Sequence, residues 1–166
     1  EDITPEQEYY IGRAVAATIL ESYKPYSDQA ANRYINLLGQ SLAMASDMPE
    51  TFGGYHFLIM DTEEINAFAA PGGLILISRG LLRCCETEDA VAAVLAHEIG
   101  HVQNQHGLKA VKKSRWTSAF TILAAESAKT MGGEDLARLT ADFEGAIGDI
   151  TQTLINSGYS RQTESE

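Results

Sequence analysis

The chain lacks any apolar run long enough to cross a bilayer. Its longest, Ala90 to Ala96, falls far short of the roughly 18 to 20 residues a spanning helix needs. Basic residues are scarce, 12 Lys and Arg against 23 Asp and Glu, and the net charge of -11 repels nucleic acid and anionic lipid surfaces, so neither is expected as a main partner. There are two cysteines, Cys84 and Cys85, and they are adjacent. Neighbours cannot close an ordinary disulfide loop, and no C-x-x-C spacing accompanies them, so they read as two small residues on a partly buried helix and say little about redox compartment. No repeat, low-complexity tract or interdomain linker interrupts the sequence. No initiating methionine or basic, apolar leader is present, and any targeting peptide is expected to have been removed or to lie outside this sequence.

What is present fits one core. With 166 residues, 45% of them hydrophobic, the chain is expected to form a single domain over 1–166. Thr4-Pro5-Glu6-Gln7 combines a capping threonine with proline at the first helical position and predicts a helix to about Ser22. A second helix is expected after Ser27, with Tyr34, Ile35, Leu37, Leu38 and Leu42 as its apolar stripe. Asp47 to Gly54 reads as a loop. Tyr55–Met60, Ile65–Ala69 and Leu74–Ser78 read as short strands, with Pro71-Gly72-Gly73 reversing the chain before the last. A short helix from Arg79 to Cys85 is expected, then one capped by Thr87 that runs to about Gln105. Further helices are expected from Gly107 to Ser127 and from Glu134 through Ile155, the latter weakened by Gly145 and Gly148. The fold class is α+β: mostly helical, with a small, mainly antiparallel sheet against a central helix.

That central helix carries His97-Glu98-Ile99-Gly100-His101, an H-E-x-x-H pattern. Positions four apart share a helix face, so both imidazoles can point at one ion, while Glu98, offset by about 100°, sits beside it. Two nitrogens then hold Zn2+, one per chain, and a carboxylate is left to accept a proton from water. The pattern also arises by chance, but here it lies on an apolar helical stretch preceded by strands, as the chemistry requires. His106 falls roughly 140° beyond His101 and reads as a helix-end residue. His56, on a strand, is a weaker candidate. From the residues alone Glu164 and Glu166 are open between a third ligand and a solvated acidic tail, and Arg161 between a supporting role and a plain surface position.

Ile65-Asn66-Ala67-Phe68-Ala69-Ala70-Pro71-Gly72-Gly73, Ser78-Arg79-Gly80-Leu81-Leu82, the His97 segment with His106, and Tyr159-Ser160-Arg161-Gln162-Thr163-Glu164 occur in that order. Together they resemble the HtpX, BepA, Oma and CaaX prenyl protease group of zinc metallopeptidases, gluzincins in their ligand set. The resemblance is closest over about residues 60 to 106. It implies a zincin-like peptidase fold with His97, His101 and Glu164 as metal ligands, Glu98 as catalytic base, and Arg161 and His106 as supporting residues. It also implies that Asn66, Ala67 and Phe68 form an edge strand that binds an extended substrate; the alternative is an inner strand making only core contacts. The third-ligand motif of the group continues to an Ala-Asp pair, and this sequence stops at Glu166, so the motif is expected to be cut short.

The expected function is therefore a zinc metalloendopeptidase, a hydrolase acting on polypeptide in protein quality control or processing at the cell envelope, periplasmic by resemblance. The rival is a zinc-binding but non-catalytic or autoinhibited assembly or chaperone-like module, and a vicinal-thiol redox protein ranks third. Substrate identity and oligomeric state are not legible.

Overall fold

The computed structural model describes residues 3–109 and 133–156, the side chains of residues 106, 107 and 133–140 excepted. Helix α1 spans Pro5–Ser22 and opens on a reciprocal cap, in which the Thr4 side chain accepts from the Gln7 N–H while the Gln7 side chain accepts from the Thr4 N–H. Two of the orphan donors of the first turn are thereby satisfied. Helix α2, Gln29–Met44, starts one residue later than the break after Ser27 suggests, because Asp28 caps it by accepting from Ala31 N–H at 3.0 Å.

Strands β1 (His56–Met60), β2 (Ala67–Ala70) and β3 (Leu74–Ser78) follow, and among the described residues they form one sheet in the order β1-β3-β2. The sheet is mixed rather than mainly antiparallel. β2 and β3 pair antiparallel through the Pro71-Gly72-Gly73 reversal, but β1 pairs parallel with β3, His56 opposite Leu74 and Met60 opposite Ser78. The Asp61–Asn66 connection does not close a hairpin; it carries the chain across to the far side of β3.

Two apolar cores lie on the two faces. Ile11, Val15 and Ile19 of α1 pack with Met60, Phe68, Ala70 and Leu76 on one face, joined by Ala146, Ile147 and Ile150 of helix α6 (Gly133–Asn156). On the other, Ile35 and Ala43 of α2 meet Phe57, Ile59, Ala67, Ala69, Ile75 and Ile77 together with the inner side of α4, Glu88–Gln103. Short helices α3 (Arg79–Arg83) and α5 (His106–Lys109) flank α4. α6 continues through Gly145 and Gly148 despite their low propensity; at Gly148 a Cβ would meet only open space. Gly12 is different, since a Cβ there would collide with the Pro71 carbonyl oxygen, and α1 packs that closely on the β2–β3 turn.

The two sheet edges are treated differently. Asn32, Asn36 and Gln40 form one row of α2 that runs along the outer edge of β1. Asn36 accepts from Phe57 N–H at 3.0 Å and donates to the Phe57 carbonyl at 2.7 Å. Asn32 accepts from Ile59 N–H, and Gln40 donates to the Tyr55 carbonyl. Tyr26 N–H and the Lys24 carbonyl complete the pairing at Ile59 and Asp61. Side-chain amides thus take the place of a fourth strand, and that edge has no free groups to offer.

Candidate metal centre

Thr87 caps α4 by accepting from Ala90 N–H at 3.2 Å, and Glu88 and Asp89 occupy the first turn, where the helix dipole favours negative charge. Val91, Leu95, Glu98, Ile99 and Val102 form its buried face. The opposite side carries the imidazoles, with His97 exposed and His101 half-buried. Helix α2 and the turn after it hold α4 near both ends: Tyr34 Oη donates to Glu88 at 2.6 Å, and Gln103 Nε2 donates to Ser46 Oγ at 2.7 Å. Neither contact is legible in the sequence: spacing places Tyr34 in the apolar stripe of α2, yet it is 43% exposed and works through its hydroxyl.

The structure brings three of the expected site residues together. His97 Nε2 and His101 Nε2 are 2.9 Å apart with ring planes at 89°, and a Glu98 carboxylate oxygen lies within 4.8 Å of both. This donor set fits zinc. Two nitrogen ligands at about 2.0–2.1 Å in a tetrahedral shell stand about 3.3 Å apart, a few tenths of an ångström from the separation of these two nitrogens. Glu98 is 3% exposed and burial pushes its carboxyl from 4.5 up to about 7. A carboxyl in that range accepts and returns a proton near neutral pH.

Asn66, Ala67 and Phe68 sit at the sheet edge nearest α4. Ser78 N–H donates to the Asn66 carbonyl, so alternation turns the N–H and C=O of Ala67 and Ala69 to the free side. Asn66 Oδ1 accepts from Ala67 N–H at 3.0 Å. The Ala67 carbonyl and both backbone groups of Ala69 have no partner among the described residues. All of β2 is buried, 6% exposed or less, as is Asn66 at 6%. Glu164, Glu166 and Arg161 lie outside the described residues, and His106 opens α5 without a described side chain. His56 is on β1 at the opposite edge, against the Gly53 carbonyl. Cys84 and Cys85, at the end of α3, each point Sγ at the carbonyl four residues back.

A small mixed sheet under helices, one of which presents two imidazoles and a buried carboxylate, defines a zincin-like metallopeptidase domain. Comparison with known proteins narrows the class. Residues 29–166 match Peptidase family M48, and the chain belongs to that family. It is 28% identical over 160 residues to the beta-barrel assembly-enhancing protease of Escherichia coli, covering 96% of this chain and 32% of that protein. It is 33% identical over 172 residues to the putative beta-barrel assembly-enhancing protease of Vibrio cholerae, covering 99% and 33%. A mitochondrial metalloendopeptidase of Schizosaccharomyces pombe is 30% identical over 152 residues, 89% of this chain and 38% of that one. The chain thus spans about a third of the length of the relatives it matches. No helix among the described residues is long and apolar enough to cross a membrane.

Proposed function

We propose that the protein is a zinc-dependent endopeptidase. The observation that carries this reading is a deeply buried Glu98 held beside two convergent imidazoles on a family M48 helix. His97 and His101 hold the ion, and Glu164 supplies the third ligand through the Ser160-Arg161-x-x-Glu164 motif. When bound, zinc supplies Lewis acidity, making a water nucleophilic at neutral pH and polarising a carbonyl. The Glu98 carboxylate takes the proton released as that water attacks and delivers it to the leaving amine nitrogen. An extended polypeptide adds to the free edge of β2, using the Ala67 carbonyl and the Ala69 N–H and C=O, so binding rests on backbone and asks little of sequence. Arg161 and His106 support the ligands. The names of the E. coli and V. cholerae relatives favour a role in protein quality control or processing at the cell envelope, in the periplasm.

Burial of the whole of β2 favours a second reading, in which the cleft is closed in this form and the domain acts as an autoinhibited peptidase or as a zinc-binding assembly module. The discriminating experiment is casein digestion by the zinc-loaded protein, with Glu98→Gln as control. Cleavage that the variant abolishes supports the peptidase. Stoichiometric zinc without cleavage, persisting after limited opening by mild denaturant, refutes it in favour of the module.

A further inference from the structure

A cavity of about 320 Å³ lies where β2 ends and the metal helix ends. Gly72, two residues past β2, forms one side, and Val102, Gln103 and Gln105, just after His101, form another. Its outer rim is apolar and unusually exposed, Met48 at 51% and Phe52 at 56%, with Phe52 packed on Tyr9 at 5.5 Å. Among the described residues its charged wall is acidic: Glu8 and Glu50 line it, and no described lysine or arginine does.

Glu8 is half-buried, yet what faces it is neutral. Its carboxylate accepts from Gln105 Nε2 at 3.3 Å and lies against the Gly72 N–H, with no salt bridge to any described cation. Burial raises its pKa, and those two donors only partly offset the rise. Gln105 itself has φ 53°, alone among the described non-glycine residues in having a positive φ. Glycine is the usual residue at this position after a helix, and another residue there is strained. What the glutamine adds over glycine is its side-chain bond to Glu8. The Thr51 hydroxyl, in the same wall, is buried and has no hydrogen-bond partner among the described residues.

We infer that this cavity is a substrate subsite that takes a lysine or arginine side chain of the bound polypeptide, its alkyl stem on Met48 and Phe52 and its cationic head on Glu8 and Glu50. The inference rests on the peptidase reading and deepens it. Gly72 lies in the turn just past the end of β2, so the basic residue sits beyond the one that pairs with Ala69, toward the β2–β3 turn. The acidic wall supplies the attraction and the neutral Gln105 keeps Glu8 aimed. The cavity is open where β2 is buried, so it is also where a basic, apolar segment makes first contact.

The test uses zinc-loaded protein and fluorogenic decapeptides in which lysine, norleucine or glutamate is walked through each position. Norleucine keeps the stem and removes the charge. At one position remote from the cleaved bond, lysine should raise kcat/KM at least fivefold over norleucine, chiefly through KM, and glutamate should lower it. In Glu8→Gln the lysine-to-norleucine ratio should fall toward one, and Gln105→Gly, which relieves the backbone, should lower it too. Zinc content and circular dichroism establish that each variant is folded. Equal ratios in parent and Glu8→Gln, or no position with a lysine preference, overturn the subsite. If no peptide is cleaved, the peptidase reading fails instead. The subsite is then decided by fluorescence anisotropy of the same peptides, where a lysine preference lost in Glu8→Gln supports it and its absence overturns it.

Discussion

Replacing Glu98 by glutamine separates what the carboxyl costs the fold from what it gives the chemistry. In the apoprotein burial raises its pKa from 4.5 to about 7. The folded state therefore holds this proton after the unfolded chain has released it. Stability from this group is intact below pH 4.5, is lost as pH rises toward 7, and stays lost above it. The gap corresponds to about 3 kcal/mol at about 1.4 kcal/mol per pH unit. Glutamine keeps the shape without the ionisation, so metal-free Glu98→Gln should be more stable than the parent by up to that amount at pH 8 and equal to it near pH 4.5. Urea melts of both proteins in chelator across pH 4.5–8.5 measure this directly. His97 and His101 are common to both, so the difference between the curves isolates position 98. Loading zinc should narrow the gap, because a nearby cation favours the ionised carboxylate. Hydrolysis should fall by about 10²-fold or more, the usual worth of a positioned acid–base group. Superimposable urea curves would show that the buried carboxyl costs nothing and refute the desolvation argument; parental cleavage by the variant would refute the mechanism.

Three further sets of variants have distinct expected outcomes. His97→Ala or His101→Ala should bind no stoichiometric zinc by atomic absorption while keeping its helical circular dichroism, and Glu164→Ala should weaken zinc affinity, read by competition with a chromogenic chelator. Asn36→Leu strands the Phe57 N–H and carbonyl, which Asn36 satisfies, and should cost about 2–6 kcal/mol in urea at about 1–3 kcal/mol per orphaned group. Gly12→Ala, a change that normally favours a helix by about 1 kcal/mol, should instead destabilise by about 3 kcal/mol or more, because the added methyl lands on the Pro71 carbonyl; a rise in thermal midpoint would show that α1 can shift at no cost.

Local chemistry explains which parts of this architecture could be read in advance. Thr4, Pro5 and Gln7 specify the start of α1, the unbroken Leu74–Ser78 run specifies β3, and Thr87 with Glu88 and Asp89 starts the metal helix, since each signal acts within a few residues. The parallel pairing of β1 with β3 is not a local matter. It depends on both strands burying their residues between the same two helix layers, and nothing in the Asp61–Asn66 turn announces it. The role of the Asn32, Asn36 and Gln40 row is not legible in the sequence, because spacing says that residues share a side, not what that side meets. At the site, helical spacing sufficed for His97, Glu98 and His101. Glu8 escaped notice because a glutamate in a first helical turn already has an ordinary explanation in the dipole, and only the fold reveals that α1 begins beside the end of α4.

The amide row on α2 has a kinetic side. A three-stranded sheet with two open borders would capture extended chains on either, and those held beside β1 would lie across the full width of the sheet from the histidines. Such captures would act as decoys, lowering the free substrate without leading to reaction. By saturating that border with its own side chains, the protein would, under the peptidase reading, direct an unfolded polypeptide to the β2 border, the one nearest the metal helix.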